Sequence, residues 1–243
     1  MAQSYFVWKG MDCRDMGVKL QGPVPIVRPE ERVQHVEIPG RSGDLTELEG
    51  ENIFNSYIQT ATIMVQGGYR VREIYNWLKG AGFVTFHGEP DRKQAARIVG
   101  AITLNKHSRN LDWWVGEVQF YCQPLKQLLT ETMQTVTASN TQIMNAGDVR
   151  TKPLIKLTAS GSSATVTITG DDTPANNSIT ITGLSSGTVI WIDCETMEIL
   201  NSGKTATLTQ NSAGNFPQLG QGANTITGSG WSKLEITKRE RFL

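Results

Sequence analysis

Beyond residue 160 the chain is written in a two-residue period. Thr165-Val166-Thr167-Ile168-Thr169 and Ser178-Ile179-Thr180-Ile181-Thr182 alternate a hydroxyl with a β-branched apolar side chain. Successive side chains of a strand point to opposite faces, so this spelling turns hydroxyls to water and Val or Ile to a core. Thr188-Val189-Ile190-Trp191-Ile192-Asp193 and Thr205-Ala206-Thr207-Leu208 read as further short strands. Gly170-Asp171-Asp172, Ser185-Ser186-Gly187 and Asn201-Ser202-Gly203 supply the turns between them. Short strands at this spacing argue for a β-sandwich or barrel. Ile226, Trp231, Leu234 and Ile236 mark two more strands, which read as a closing hairpin. Met133 to Pro153 reads as a first strand and the linker into this domain.

The first half is different in character. Before about residue 130 charged, aromatic and aliphatic residues mix; after it charges thin out and Thr, Ser, Gly and Asn dominate. Phe6-Val7-Trp8 and Met16 to Leu20 suggest a first hairpin. Val33-Gln34-His35-Val36-Glu37-Ile38 alternates as a half-buried strand does. Tyr57 to Val65, Phe83 to Phe86, Arg97 to Ile102 and Trp113 to Cys122 read as strands, with Pro124 ending the last pairing. Val71, Ile74, Tyr75 and Leu78 fall at i, i+3, i+4 and i+7, which predicts a helix of about three turns with one apolar stripe. A helix that short is marginal alone, so it must be held by packing on a sheet. The expected organisation is an α+β domain over 1–130 and an all-β sandwich over 131–243.

Composition excludes several classes. Lys plus Arg is 23 and Asp plus Glu is 23, so no strongly basic surface for nucleic acid or anionic lipid is indicated. Cys13, Cys122 and Cys194 are far apart, with no C-x-x-C pair, and read as small buried residues of a protein made in a reducing compartment. The first residues lack the basic start and apolar run of a signal peptide. No segment approaches the roughly 18 apolar residues of a membrane span.

Chemistry is sparse. Gly40-Arg41-Ser42-Gly43 is not a nucleophile elbow, because its glycine comes one residue early. His87, Glu89 and Asp91 cluster, but a metal would need a further ligand and a polar turn explains them as well. Asp171-Asp172 with Asn176-Asn177 could offer oxygen ligands to calcium, or simply build a hairpin turn. Asp193 and Glu195 flank Cys194, and a glycosidase pair needs a separation that sequence does not reveal. Trp191 and Trp231 could stack on sugar, with one of them core and the other exposed. No phosphate-binding glycine loop is present. The reading is of a protein without catalytic, metal or cofactor residues.

Several features recur in a telling order. They are Phe6 and Trp8; Asp15-Met16-Gly17-Val18; Pro39-Gly40-Arg41-Ser42-Gly43-Asp44-Leu45-Thr46; and Val118 to Pro124. Asn145-Ala146-Gly147-Asp148, Lys152 to Leu157, Ile192-Asp193-Cys194, Gly214 to Leu219 and Gly222 to Ile226 follow. This series resembles the distal tail proteins of long-tailed phages, the siphovirus tail-component family. Lys238-Arg239-Glu240-Arg241 departs from the Pro-Arg-Trp-Arg type of ending common there.

The resemblance implies an α+β ring-forming domain followed by an all-β galectin-like (jelly-roll) sandwich. It implies a hexameric ring that joins the tail tube to the tail tip or baseplate and passes the genome through its lumen. Its partners would be further copies of itself, the tail tube protein, a tail-tip or tail-associated lysin protein and a receptor-binding protein. It would meet DNA only in transit and no membrane, and would be assembled in the host bacterial cytoplasm into the virion tail. Within that frame Pro39, Gly40, Arg41, Ser42, Gly43 and Asp44 are expected to contact an adjacent subunit or tail protein; a tight intrachain turn is the alternative. A rival reading is a carbohydrate-binding module for a cell-surface glycan, although few aromatics argue for at most weak affinity. A hydrolase would need a converging acid and base, which the sequence does not offer.

Overall fold

The computed structural model describes residues 4–48, 52–109, 111–205 and 211–243. The chain forms two compact units, Met1–Leu129 with Leu243, and Thr130–Phe242. Strands dominate both.

The first unit contains β1 (Phe6–Trp8), β2 (Met11–Asp12), β3 (Val18–Leu20), β4 (Val33–Val36) and β5 (Leu45–Leu48). After β6 (Tyr57–Gln66) come a 3-10 turn (Gly68–Arg70) and helix α1 (Val71–Trp77). Then follow β7 (Ala81–Phe86), β8 (Arg92–Val99), β9 (Asn105–Lys106) and β10 (Trp113–Leu128). The main sheet runs β2-β1-β7-β8-β10-β6-β3, with β9 also on β10. Its core centres on Phe120, which meets Phe6, Trp8 and Phe86 edge-on at 5.3, 5.6 and 5.6 Å, while Trp77 stacks on Phe6. Such pairs add about 0.5–1.5 kcal/mol each to the area they bury.

Four expectations change here. The helix is two turns and not three: it starts at Val71, where the stripe starts, after a 3-10 turn, and Leu78 closes it by donating to the Ile74 carbonyl at 2.8 Å. Ile74 and Leu78 are buried, whereas Tyr75 is exposed and its hydroxyl accepts the Leu104 N–H instead. The first hairpin does not form as read. β1 pairs with β2 across a tight turn at Lys9-Gly10, and β3 pairs with β6. Pro124 does not end pairing, because the β10 register on β8 shifts between Cys122 and Lys126. A bulge is where a strand tolerates a residue without an N–H. β4, finally, is not half-buried; it pairs only with β5.

The second unit contains β11 (Met133–Val136), β12 (Thr141–Asn145), β13 (Leu154–Ala159), β14 (Ser163–Gly170) and β15 (Ser178–Thr182). β16 (Val189–Asp193), β17 (Glu198–Asn201), β18 (Ser212–Gly214), β19 (Gly222–Ser229) and β20 (Trp231–Thr237) complete it. One sheet is β11-β20-β13-β16-β17 and the other β12-β19-β14-β15-β18. A single buried cluster draws on both, including Ile155, Leu157, Ile190, Ile192 and Ile236 from the first and Val166, Ile168, Ile179, Ile181 and Ile226 from the second. That is a sandwich core, built from the alternate residues the sequence marked. The strand expected at Thr205 to Leu208 lies largely outside the described residues.

The closing hairpin is also corrected. β19 and β20 are consecutive, yet they belong to opposite sheets. The chain crosses between sheets at Gly228-Ser229-Gly230, with φ of 144° at Gly228 and 77° at Gly230. A Cβ at Gly230 would overlap the Ser163 carbonyl oxygen, so only glycine fits this corner.

Candidate functional site

β4 and β5 form a two-stranded sheet with no third strand among the described residues. Val33 faces Leu48, Gln34 faces Glu47, His35 faces Thr46 and Val36 faces Leu45. The hairpin is tied at its base, where Arg32 N–H donates to Ile53 O and Asn55 N–H to Glu30 O. Beyond the base it is bare: Val36 is 41% exposed and Ile38 40%. An isolated two-stranded hairpin is marginal in water because it buries no apolar face. This one carries apolar side chains that nothing in its own unit covers.

Pro39, Gly40, Arg41, Ser42, Gly43 and Asp44 form the tip and are all exposed. Gly40 and Gly43 take φ of 86° and 80°, and no neighbour crowds either, so these glycines serve the turn and not a close approach. Arg41 N–H donates to Ile38 O at 3.1 Å. Its guanidinium makes no hydrogen bond or ion pair among the described residues, which leaves a rigid fork of donors pointing outward. Ser42 has no base beside it among the described residues. The sequence located this loop but took the strand before it as half-buried and did not mark β5, because alternation looks the same whether the apolar face meets a core or water.

The other polar clusters are internal fastenings. Glu89 binds Arg92 at 2.9 Å and the buried Lys126 at 2.6 Å. His87 keeps Nδ1 buried without a partner, tilted against Tyr5. Asp172 is held by Arg150 at 2.9 Å, and the buried Asn177 spends its amide on the carbonyls of Ile168 and Gln218. Asp193 is forked by Arg239, and Glu195 lies 3.3 Å from the same guanidinium. No group of three or more His, Cys, Asp or Glu among the described residues is placed to hold a metal ion. Trp231 packs on the sandwich core and donates to Thr165 O at 3.1 Å, whereas Trp191 lies between Lys204 and Lys156, 3.9 and 5.6 Å from its ring. They do not share a platform. All three cysteines are buried and free. Burial pushes the Cys122 and Cys194 thiols up to about 12, which keeps them protonated and unreactive. Among the described residues no helix is long and apolar enough to cross a membrane.

The first unit thus presents an exposed hairpin, and the clusters singled out in the sequence are held by contacts within their own units. Residues 146–242 match the family described as Siphovirus-type tail component, C-terminal domain. That match covers most of the C-terminal unit, and it bears out the family resemblance read from the sequence. The whole chain is similar in fold to the SPP1 Dit (gp 19.1) protein, described as a paradigm of hub adsorption apparatus in Gram-positive infecting phages. That alignment has 18% identity, covers 100% of both chains and gives a TM-score of 0.79. A chain of the phage P2 baseplate in its activated conformation with Ca aligns at 10% identity over 97% of each chain, with a TM-score of 0.48. No curated protein sequence matches the chain.

Proposed function

We propose that this protein is a distal tail adaptor, a structural hub that closes into a hexameric ring through its N-terminal unit. The ring joins the tail tube to the tail tip or baseplate, and the genome passes through its lumen. The C-terminal sandwich is read as galectin-like, placed to dock tail-tip or receptor-binding proteins. Assembly takes place in the host bacterial cytoplasm. The role is architectural, without a catalytic step.

The observation that carries this reading is the exposed β4–β5 hairpin. A segment with Val36 and Ile38 uncovered and Arg41 unpaired is stable and useful only against another surface. Cyclic closure supplies one: a ring repeats a single heterologous contact until every patch is covered. Pro39 to Asp44 are assigned to that contact, on an adjacent subunit or a tail protein. The family match over 146–242 and the full-length likeness to a phage hub protein support the same role.

The test is assembly with and without the tip. Arg41→Ala should weaken oligomer formation, read by native mass spectrometry, while melting of the monomer stays nearly unchanged. A variant that melts lower yet assembles normally would make the loop an intrachain turn.

A further inference from the structure

At one end of the C-terminal sandwich the β14–β15 loop, the β16–β17 turn, the approach to β13 and the segment after β18 surround a pocket of about 290 Å³. Its lining includes Lys152, Asn176, Met197, Asn215, Phe216 and Gln218, with Cys194 and Asn177 behind them. The turn chemistry of the sandwich does not account for what gathers there.

The frame of the pocket is fixed. Asn177 is 6% exposed; it donates to Ile168 O at 2.9 Å and Gln218 O at 2.7 Å and accepts from Gln218 N–H at 2.8 Å. Asn215 donates its amide to Asn176 O at 3.2 Å and its backbone N–H to Ser178 O at 2.8 Å. These bonds hold the loop after β18 against the β14–β15 loop before any ligand arrives. Three polar side chains of the lining are unspent. The Asn176 and Gln218 side-chain amides make no hydrogen bond among the described residues, and the Lys152 ammonium makes no hydrogen bond or ion pair among them. Cys194 is 2% exposed and burial raises its thiol to about 12, so the floor carries no charge.

Met197 gives an independent sign. It sits in the β16–β17 turn with φ of 56°, a left-handed position that glycine or asparagine fills at less cost. It is also 56% exposed. An apolar side chain kept in a strained and solvent-facing place costs stability twice over. Such outliers collect at ligand sites. Here the side chain lines the same pocket as the partly buried ring of Phe216, which packs on the core behind.

We propose that this pocket binds a single sugar ring that bears a carboxylate. Phe216 and Met197 offer apolar surface to the C–H face of the ring. The amides of Asn176 and Gln218 offer both donors and acceptors, which vicinal hydroxyls require. Lys152 supplies the counter-charge for the acid. The volume lies at the lower end of small-ligand sites and takes one ring, not a chain. A ligand of that size binds in the millimolar range. The inference does not depend on ring assembly, since every residue belongs to the C-terminal unit.

The full-length protein is titrated with sodium glucuronate, and separately with glucose, by saturation-transfer NMR. Glucuronate should give a saturable signal with affinity about tenfold above that of glucose. Lys152→Met should abolish that preference without lowering Tm. Asn176→Gly, which keeps the left-handed backbone, should weaken both sugars. The methyl glucuronide separates the two sources of such a ring: unchanged affinity points to the end of a surface polysaccharide, and lost affinity to a free sugar acid. Absence of a saturable glucuronate signal, a preference that survives Lys152→Met, or unchanged binding in Asn176→Gly would each overturn the proposal.

Discussion

The guanidinium of Arg239 meets both carboxylate oxygens of Asp193, at 2.6 and 2.8 Å. It does so from a left-handed backbone position, with φ of 52°. Asp193 also accepts the N–H groups of Glu195 and Thr196, so one carboxylate fixes both the end of the chain and the turn after β16. The role of this arginine is to anchor.

The fork sets a pH dependence. The hydrogen bond from Arg239, more than any other contact, holds the Asp193 carboxyl below its ordinary 3.8. A depressed carboxyl contributes stability that is complete above the unfolded value and lost as pH falls through the folded one. Asp193→Asn keeps an oxygen for the two backbone donors but removes the charge. It should cost about 2 kcal/mol at pH 7. In urea unfolding the gap between variant and wild type should close below pH 3.8. A gap that stays constant down to pH 2 would mean that the charge is not what the fork contributes.

Gly230→Ala should be among the most damaging single changes in the second unit. The new methyl would overlap the Ser163 carbonyl oxygen and the backbone would keep φ of 77° only under strain. A loss of about 2–4 kcal/mol follows from those two effects together. Gly161→Ala is the control, because nothing crowds that position. Equal urea midpoints for the two variants would remove the steric account of the sheet crossing.

How far the sequence carried is plain at these positions. The sandwich core was legible because Val166, Ile168, Ile179 and Ile181 alternate with hydroxyls, and burial follows that alternation. The β19–β20 connection was not, because two adjacent strands with a glycine turn spell a hairpin whether they pair or cross to the other sheet. Pro124 misled for a similar reason: the missing N–H forbids regular pairing but not a bulge. Tip residues Pro39 to Asp44 could be picked out by composition, yet the bare flanks at Val36 and Ile38 could not. The pocket around Asn176 and Gln218 joins four separate loops, and no local pattern announces a site of that kind.

Residues 130–243 should fold without the first unit. They enclose their own core, with Leu157, Ile192 and Leu234 fully buried within it. Circular dichroism of that fragment should be β-only and its thermal transition cooperative. Helical dichroism or a featureless melt would contradict the division of the chain at residue 130.

The most direct test of the adaptor account is native mass spectrometry of the full-length protein, alone and with the cognate tail tube protein. A variant carrying Val36→Lys and Ile38→Lys is run beside it. Both positions are already exposed in the single chain, so folding and Tm should change little. The account expects wild type to form hexamers, strengthened by the tube protein because several contacts close at once, and the double variant to remain monomeric. Wild type that stays monomeric at high concentration with tube protein present, or a double variant that assembles as well as wild type, would contradict it.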